Sequence, residues 1–366
     1  MGPDQLLLVS TGAVYGAALL SLRWGLHRLR TATSEARPPV SVIVAARDEA
    51  ENIDACLAAL ARQDYGGWWE IVVVDDRSRD DTATRLQRWA AQDARIRWCR
   101  APDPPRYRCP KKSALASGIE ISRGEILLCT DADCRPPAGW IGSMVACFGA
   151  EVGLVAGYAR PEGSASWIQR VLALDNLAVG ALGAGGIGLG MAWACTGRNL
   201  AYRRAAYEQA GGFAAIGHLV GGDDVYLARR VASATNWRLA YNRRNDAVVL
   251  CTAPPRAWRA ILQQKLRHAA KAGHYRGGAL ALGAVVYVFY AALAWGTGRA
   301  LAGQGELVTG SVWVAKASLD AVLLGAMASA PERRLLRWLP VLELLHVPYV
   351  LLGTIAGRLG WFRWKR

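Results

Sequence analysis

The chain is short of acid. Lysine and arginine number 44 against 29 aspartates and glutamates, a formal net charge of +15 over 366 residues. Its eight cysteines are scattered and no two stand in a C-x-x-C spacing, so no zinc framework is written into them. Thiols such as Cys129 and Cys147 sit in apolar contexts and read as reduced and buried in a cytoplasmic domain. Histidine is scarce at five residues, and His218, His268 and His274 have no supporting cysteine or carboxylate pattern; they read as packing or phosphate-proximal residues. Charge of either sign is missing from Gln5 to Leu22. That run is long enough for a somewhat short membrane helix, which needs about 20 residues. Only Asp4 and the amino terminus precede it, and Arg23, Arg28, Arg30 and Arg37 follow. A cleaved signal peptide carries its basic residues first, so a membrane anchor is expected, with the chain entering the cytoplasm after it. The basic excess gathers beside apolar segments, where arginine meets anionic lipid, and does not describe a nucleic-acid surface.

Three further apolar stretches lie near the carboxyl terminus: Gly278–Leu301, Leu307–Ala330 and Leu335–Ala356. The first two read as spans. The third holds Pro340, Glu343, His346 and Pro348, with Arg333, Arg334 and Arg337 before it and Arg358, Arg363, Lys365 and Arg366 after it. Basic clusters on both sides favour a re-entrant hairpin or an interfacial helix over a plain span.

Between these ends the pattern changes. Val40–Ala45 is a continuous β-branched run, as a buried parallel strand requires, with Asp48 and Glu49 beyond its end. Asn52–Arg62 has helical spacing. Ile71–Val74 is a second strand ending at Asp75 and Asp76, with Asp80 or Asp81 placed to cap the next helix. "IRWCRAP" is a shorter third strand, Lys111–Ile121 a helix, and Glu125–Thr130 a fourth strand. Strands alternating with helices imply a mostly parallel α/β sheet, whose ligands bind beyond the carboxyl ends of the strands. Three of those ends carry carboxylates, which repel one another unless a cation or a donor-rich ligand intervenes.

The last of them reads "LLCTDADCRPP". Asp131 and Asp133 flank a single residue, and side chains two apart in extended chain point the same way. Both can face one ligand or one hard cation, for which Mg²⁺ or Mn²⁺ suits oxygen donors; a solvated Asx-rich turn is the plainer alternative. Asp223 and Asp224, in "GGDDVYLARRV", stand where a helix opens and read either as a cap or as catalytic acids. Arg256–Arg276 places Trp258, Ile261, Leu262 and Leu266 at helical spacing among Arg259, Lys265, Arg267 and Lys271, the pattern of a helix lying on a bilayer. "LAVGALGAGGIGLGMAWACTG" is rich in glycine and reads as a pliable loop or flexible helix, or equally as a segment packed against neighbouring helices, rather than as a membrane helix.

Several segments, in order, resemble family 2 glycosyltransferases of the membrane-attached kind: "VSVIVAARDEAENI", "IVVVDDRSRDDT", "KKSALASGIEISRGEILLCTDADC", "TGRNLAYRRAAYEQAGGF", "GGDDVYLARRV" and "QQKLRHAAKAGHY". The resemblance implies a GT-A fold, a Rossmann-like mixed, mostly parallel sheet, between amino- and carboxyl-terminal transmembrane helices. It assigns Glu49, Asp76, Lys111 and Asp131 to the nucleotide, Asp133 to Mg²⁺ or Mn²⁺, Asp224 to the catalytic base with Asp223 beside it, and Gln264, Arg267 and His268 to the diphosphate and acceptor. His268 stands where polymer-making members have the tryptophan of Q-x-x-R-W. Ala45 stands where the family usually has proline.

The expected organisation is an anchor and basic linker over 1–37, a cytoplasmic catalytic domain over 38–252, an interfacial helix over 253–277, and a membrane region over 278–366. The expected activity is inverting, metal-dependent transfer of a sugar from a UDP- or GDP-sugar to a membrane lipid or lipid-linked acceptor at the cytoplasmic face of the inner or plasma membrane, with no nucleic acid as partner. The alternatives are a processive polysaccharide synthase and a non-catalytic, membrane-tethered nucleotide-binding module.

Overall fold

The computed structural model describes residues 2–29, 34–163, 165–270, 278–304 and 307–359. Arg30, Lys271, His274, Arg276, Arg363, Lys365 and Arg366 lie outside the described residues, as do the side chains of His268 and Arg358. The chain divides into two compact units: residues 25–163 with 182–252, and residues 1–24 with 164–181 and 253–366.

In chain order the elements begin with α1 (Pro3–Arg28), β1 (Val40–Ala46), α2 (Ile53–Ala61), β2 (Trp69–Asp75), α3 (Thr82–Gln92), β3 (Ile96–Arg100) and α4 (Pro110–Ile121). There follow β4 (Ile126–Asp131), β5 (Cys134–Arg135), α5 (Trp140–Val145), β6 (Val152–Gly157), β7 (Ala159–Pro161), α6 (Trp167–Gly188), β8 (Leu200–Arg203) and α7 (Arg204–Gln209). The remainder is α8 (Val225–Ala234), β9 (Arg238–Asn242), β10 (Val249–Cys251), α9 (Trp258–Ala270), α10 (Gly278–Arg299), α11 (Leu307–Met327), α12 (Leu339–Pro348) and α13 (Thr354–Arg358).

The first unit is built on a seven-stranded sheet in the order β3-β2-β1-β4-β8-β6-β9. β3, β2, β1 and β4 run parallel. β8 is antiparallel to both β4 and β6, and β9 pairs parallel with β6. The four strands and three helices expected up to Thr130 are all present within a residue or two. Val42, Val44, Ile71, Val73, Ile126 and Leu128 pack into one core with Ile53 and Leu57 of α2 and Trp140 of α5. Ile43 and Val74 face α4, which approaches closely because of Gly118: a Cβ there would lie 2.8 Å from Ile43 Cγ2. Strands covered on both faces need apolar side chains at every position, which is why these runs do not alternate.

After β1 the chain builds β2 and β3 on one side, then crosses to lay β4 on the other. The carboxyl ends of β1 and β4 therefore border a crevice at a reversal of strand order, where open α/β sheets take their ligands. A small sheet, β5-β10-β7, pairs Cys134 with Cys251 and so delivers Thr252 beside the end of β4.

The glycine-rich segment takes the packed, helical alternative. It is regular helix as far as Gly188 and turns only beyond it. Its glycines serve close approach rather than flexibility. A Cβ on Gly25 of α1 would lie 2.1 Å from the Gly185 carbonyl oxygen, and one on Gly188 1.9 Å from that of Gly25. Small residues let two helix backbones meet in this way.

Among the described residues, five helices are long and apolar enough to cross a membrane by length and composition: Pro3–Arg28, Trp167–Gly188, Ala279–Gln304, Leu307–Met327 and Arg333–Gly357. The last of these is a helical run rather than a hairpin, the other form expected for it being an interfacial helix. Pro340 falls in the first turn of α12, where its missing N–H costs nothing. Pro348 leads into a π turn over Tyr349–Gly353, and helix continues into α13. The polar residues that argued against a span are paired within the second unit. Glu343 pairs with the buried Lys316 of α11, which also lies 3.0 Å from Asp320. Tyr15 of α1 donates to Asp320 at 2.9 Å. His346 Nε2 lies 3.0 Å from Asp175 of α6, which also pairs with Lys265 of α9. Ionisable groups among apolar helices are tolerated when they meet one another.

The α1–α6 crossing yields a direct test. Gly25→Val forces the two backbones apart and is expected to destabilise the protein by about 1–3 kcal/mol, the usual cost of overpacking. A lowered thermal unfolding midpoint in detergent is the expected readout; an unchanged midpoint would contradict the contact.

Candidate active site

The rim carboxylates divide into two sets. Asp48, Asp75 and Asp80 are engaged by loop backbone. Asp48 Oδ1 accepts from Arg79 N at 2.7 Å, and Asp75 Oδ1 accepts from Ser78 N at 3.1 Å. Asp80 accepts from Thr82 N and Ala50 N, each at 3.0 Å. Asp80 thus supplies the first turn of α3, while Asp81 stands at the N-cap position without a side-chain capping bond. Asp48 and Arg77 both adopt left-handed backbone, with φ of 52° and 61°. The loops after β1 and β2 are in this way tied to each other, and they present Glu49 and Asp76.

Glu49 Oε2 accepts from Asn52 Nδ2 at 2.8 Å. Asp76 pairs with Arg77, whose Nε lies 3.0 Å from Asp76 Oδ1. Burial raises the Asp76 carboxyl above the ordinary range despite that partner. Cys56, on α2, reaches the end of β4. Its thiol donates to the Asp131 carbonyl oxygen at 3.7 Å, and it is pushed well above the ordinary thiol range by burial, then by Asp133, Asp131 and Glu49. A thiol so placed stays protonated and packs; it is not a nucleophile.

The centre of the site is Lys111, in the first turn of α4. Its Nζ lies 2.6 Å from Asp131 Oδ1 and 3.2 Å from Asp223 Oδ2. Burial alone would lower this ammonium, but Asp131 and Asp223 outweigh it and hold the pKa well above the ordinary lysine value. One cation thus joins the end of β4 to the block that opens α8, some ninety residues later in the chain. The neighbouring Lys112 is fully buried and turns the other way. It donates to the carbonyl oxygens of Ile216 at 2.8 Å and Leu219 at 3.0 Å, in the loop leading to Asp223.

Asp223 and Asp224 have separate surroundings. Asp224 is the N-cap of α8; its Oδ1 accepts from Val225 N at 2.7 Å and its Oδ2 from Gly197 N at 3.3 Å. Asp223 faces Lys111. Gly197 lies between the two carboxylates: a Cβ there would be 2.9 Å from Asp223 Oδ2 and 3.3 Å from Lys111 Nζ. Of the two, the cap is Asp224, the residue that the resemblance puts at the position of the base.

Asp133 lies just past β4, where its Oδ2 accepts from Thr252 Oγ1 at 2.7 Å. Arg198 completes the group and was missed from the sequence, although it lies inside the quoted "TGRNLAYRR". Its Nη1 is 3.0 Å from Cys251 Sγ and its Nε 3.2 Å from Thr196 Oγ1. Burial opposes its charge, while Cys251, Asp131 and Asp133 hold it more firmly protonated than an ordinary arginine. Only the order glycine–arginine–asparagine before a strand could have flagged it. Its neighbour Asn199 is wholly buried and fixes the turn through Trp140, Tyr158 and Ala247.

Lys111 and Arg198 thus stand against Asp131, Asp133, Asp223 and Asp224, a formal excess of two negative charges. Among the described residues no three histidine, cysteine or acidic side chains form a closed metal cage. Hard oxygen donors, a negative excess and an incomplete set fit Mg²⁺ or Mn²⁺, which take one or two carboxylates and complete their shell with water and substrate phosphate. Gln264, Arg267 and His268 lie on α9, in the second unit. Burial lowers the Arg267 guanidinium pKa.

Gly197→Ala should displace Lys111 and Asp223 by a few tenths of an ångström without touching the core. The expected result is a roughly tenfold to hundredfold loss of turnover at an unchanged unfolding midpoint. Full turnover in this variant would show that the Lys111–Asp223 geometry is immaterial.

The family profile "Glycosyl transferase family 2" matches residues 41–211. The chain is similar to "Glycosyltransferase AglE" of Haloferax volcanii, 28% identical over 242 residues, 63% of this chain and 71% of that protein. It is also 30% identical over 174 residues to an N-acetylglucosaminyltransferase of Rhizobium meliloti, 46% of this chain but 40% of that protein. Among solved structures, the mannosyltransferase PcManGT from Pyrobaculum calidifontis, in complex with GDP-Man and Mn²⁺, superposes with a TM-score of 0.63 at 25% identity, covering 97% of this chain and 99% of that one. The sheet order, the acidic switch point and these likenesses agree: residues 41–211 form a family 2 glycosyltransferase domain, with the GT-A fold.

Proposed function

We propose that the protein is an inverting, metal-dependent glycosyltransferase. It moves a sugar from a nucleotide-sugar to a membrane lipid or lipid-linked acceptor at the cytoplasmic face of the membrane that holds it. The observation that carries this reading is the Lys111 bridge, which joins Asp131 at the end of β4 to Asp223, the neighbour of Asp224. A donor diphosphate and an acceptor hydroxyl need those two groups side by side. The GDP-mannose and Mn²⁺ held by the Pyrobaculum structure support a GDP-sugar as one donor to try.

In this reading Glu49 and Asp76 receive the base and ribose, Lys111 and Asp131 the nucleotide side of the donor. Asp133 holds the divalent cation, which when bound supplies positive charge to the leaving diphosphate. Arg198 and Lys111 face the same developing charge, and Gln264 and Arg267 serve the diphosphate and the acceptor. Asp224 takes the acceptor proton as its oxygen attacks the anomeric carbon; the bond to the diphosphate breaks, and one displacement inverts that centre. Asp223 is the alternative base. The direction of the arginines after α1 supports a cytoplasmic active site.

The test is release of nucleoside diphosphate from a panel of UDP- and GDP-sugars, with Mn²⁺ or Mg²⁺, with and without a lipid extract. Asp133→Ala should abolish transfer. Asp224→Asn keeps an acceptor for Val225 N, so the cap survives, yet it should lower the rate by about 10²–10⁴-fold. Full activity in Asp224→Asn with loss in Asp223→Asn would move the base to Asp223. Full activity in chelator would remove the metal.

A further inference from the structure

The second unit holds a half-open cavity of about 520 Å³, within the range of roughly 300–1,000 Å³ usual for small-molecule sites. Its walls come from α6, α9 and the helical run from α12 to α13, and they include Val171, Leu172, Leu262, Leu266, Leu345 and Leu352. The charged residues lining it are Asp175, Lys265 and His346. These three are joined to one another through the two Asp175 oxygens, and the Lys265 ammonium also stands 5.1 Å from the Tyr349 ring centroid. The ionic groups are therefore satisfied within the wall. A polar solute or a file of water would find few hydrogen bonds there, whereas a hydrocarbon chain would bury its surface against leucine.

Two features identify the source of such a chain. Two of the three walls, α6 and the Arg333–Gly357 run, are long and apolar enough to cross a bilayer. The third, α9, carries exposed Trp258 and Leu262 on the cavity side, with exposed Arg256 and Arg259 beside Trp258 in the chain. Indole and guanidinium together mark the level of anionic headgroups. A lipid that satisfies all of this has a hydrocarbon tail and a negatively charged phosphate linker. A carboxylate base in the catalytic domain adds a third requirement, because a phosphate oxygen needs no deprotonation and a hydroxyl does.

We propose that the cavity holds one hydrocarbon chain of the acceptor, and that the acceptor is a saccharide carried on a lipid through a phosphate linkage. This rests on the glycosyltransferase reading above and narrows its acceptor: the tail enters the α6–α9–α12 cavity, the phosphate meets Arg256 and Arg259, and a sugar hydroxyl is the nucleophile.

The test uses the full chain in nanodiscs with hexadecyl phosphate bearing a chain-terminal diazirine. After photolysis, peptides from α6 and α9 that contain Leu172 and Leu262 should carry the label. Leu172→Trp fills the cavity and should lower that labelling by about tenfold, since excluding about two methylenes costs that much affinity. Leu262→Trp, at an exposed position, should do the same without risk to folding. Arg256→Ala with Arg259→Ala should bring labelling down to the level given by the matching diazirine hexadecanol. Labelling spread evenly over α10 and α11 and indifferent to both tryptophans would overturn the cavity. Equal labelling by diazirine phosphatidylcholine in the presence of excess hexadecyl phosphate would assign the cavity to bulk lipid and overturn the acceptor assignment. Labelling that rises when residues 360–366 are deleted would make the chain's own terminus the occupant. Donor turnover without acceptor is read separately and should be unchanged in Leu172→Trp, so failure here is distinct from failure of the glycosyltransferase reading.

Discussion

Everything proposed for the catalytic unit depends on one ammonium between two carboxylates. Lys111 reaches Asp131 at the end of a central strand and Asp223 at the head of a helix formed far later in the chain. Four carboxylates at one sheet edge would repel one another strongly in a partly buried crevice. Lys111 and Arg198 offset that repulsion in part, and a net negative charge remains, the condition under which a hard cation is favoured. Lys112, on the same turn of helix, anchors the loop before Asp223 by two carbonyl oxygens. Two adjacent lysines thus hold the two halves of the site from opposite sides.

The sheet was legible because its strands are buried on both faces, so that Val40–Ala46 and Trp69–Asp75 read as unbroken apolar runs. The acidic strand ends were legible for the same reason: a carboxylate abutting such a run stands out. What the sequence could not do was separate carboxylates that hold backbone from those that face the crevice. Asp48, Asp75 and Asp80 look like Glu49 and Asp76 in one dimension, and only the hydrogen bonds from Arg79, Ser78, Ala50 and Thr82 tell them apart. Arg198 was hidden because its surroundings, Cys251 and Asp133, come from β10 and from the turn after β4, which no local pattern connects.

The membrane-type segments show the opposite error. Glycine density in α6 suggested flexibility, but Gly185 and Gly188 are where that helix meets Gly25 of α1. Proline, glutamate and histidine in the last apolar stretch suggested a bend. Glu343 and His346 instead meet Lys316 and Asp175 on other helices, so their cost is met by partners distant in sequence. Composition alone prices each polar residue as if it were isolated, which these are not.

The two units divide the labour by solvent. One gathers charge at a strand-end crevice. The other gathers apolar helices around a half-open, hydrocarbon-lined cavity. The central claim concerns the first. Its most direct test is a structure of the full chain with GDP and Mn²⁺, measured for anomalous scattering from manganese. A single manganese peak on the Asp133 carboxylate, with the diphosphate between it and the Lys111–Arg198 pair, is the predicted result. Manganese bound away from Asp133, or a nucleotide seated outside the crevice between β1 and β4, would contradict it.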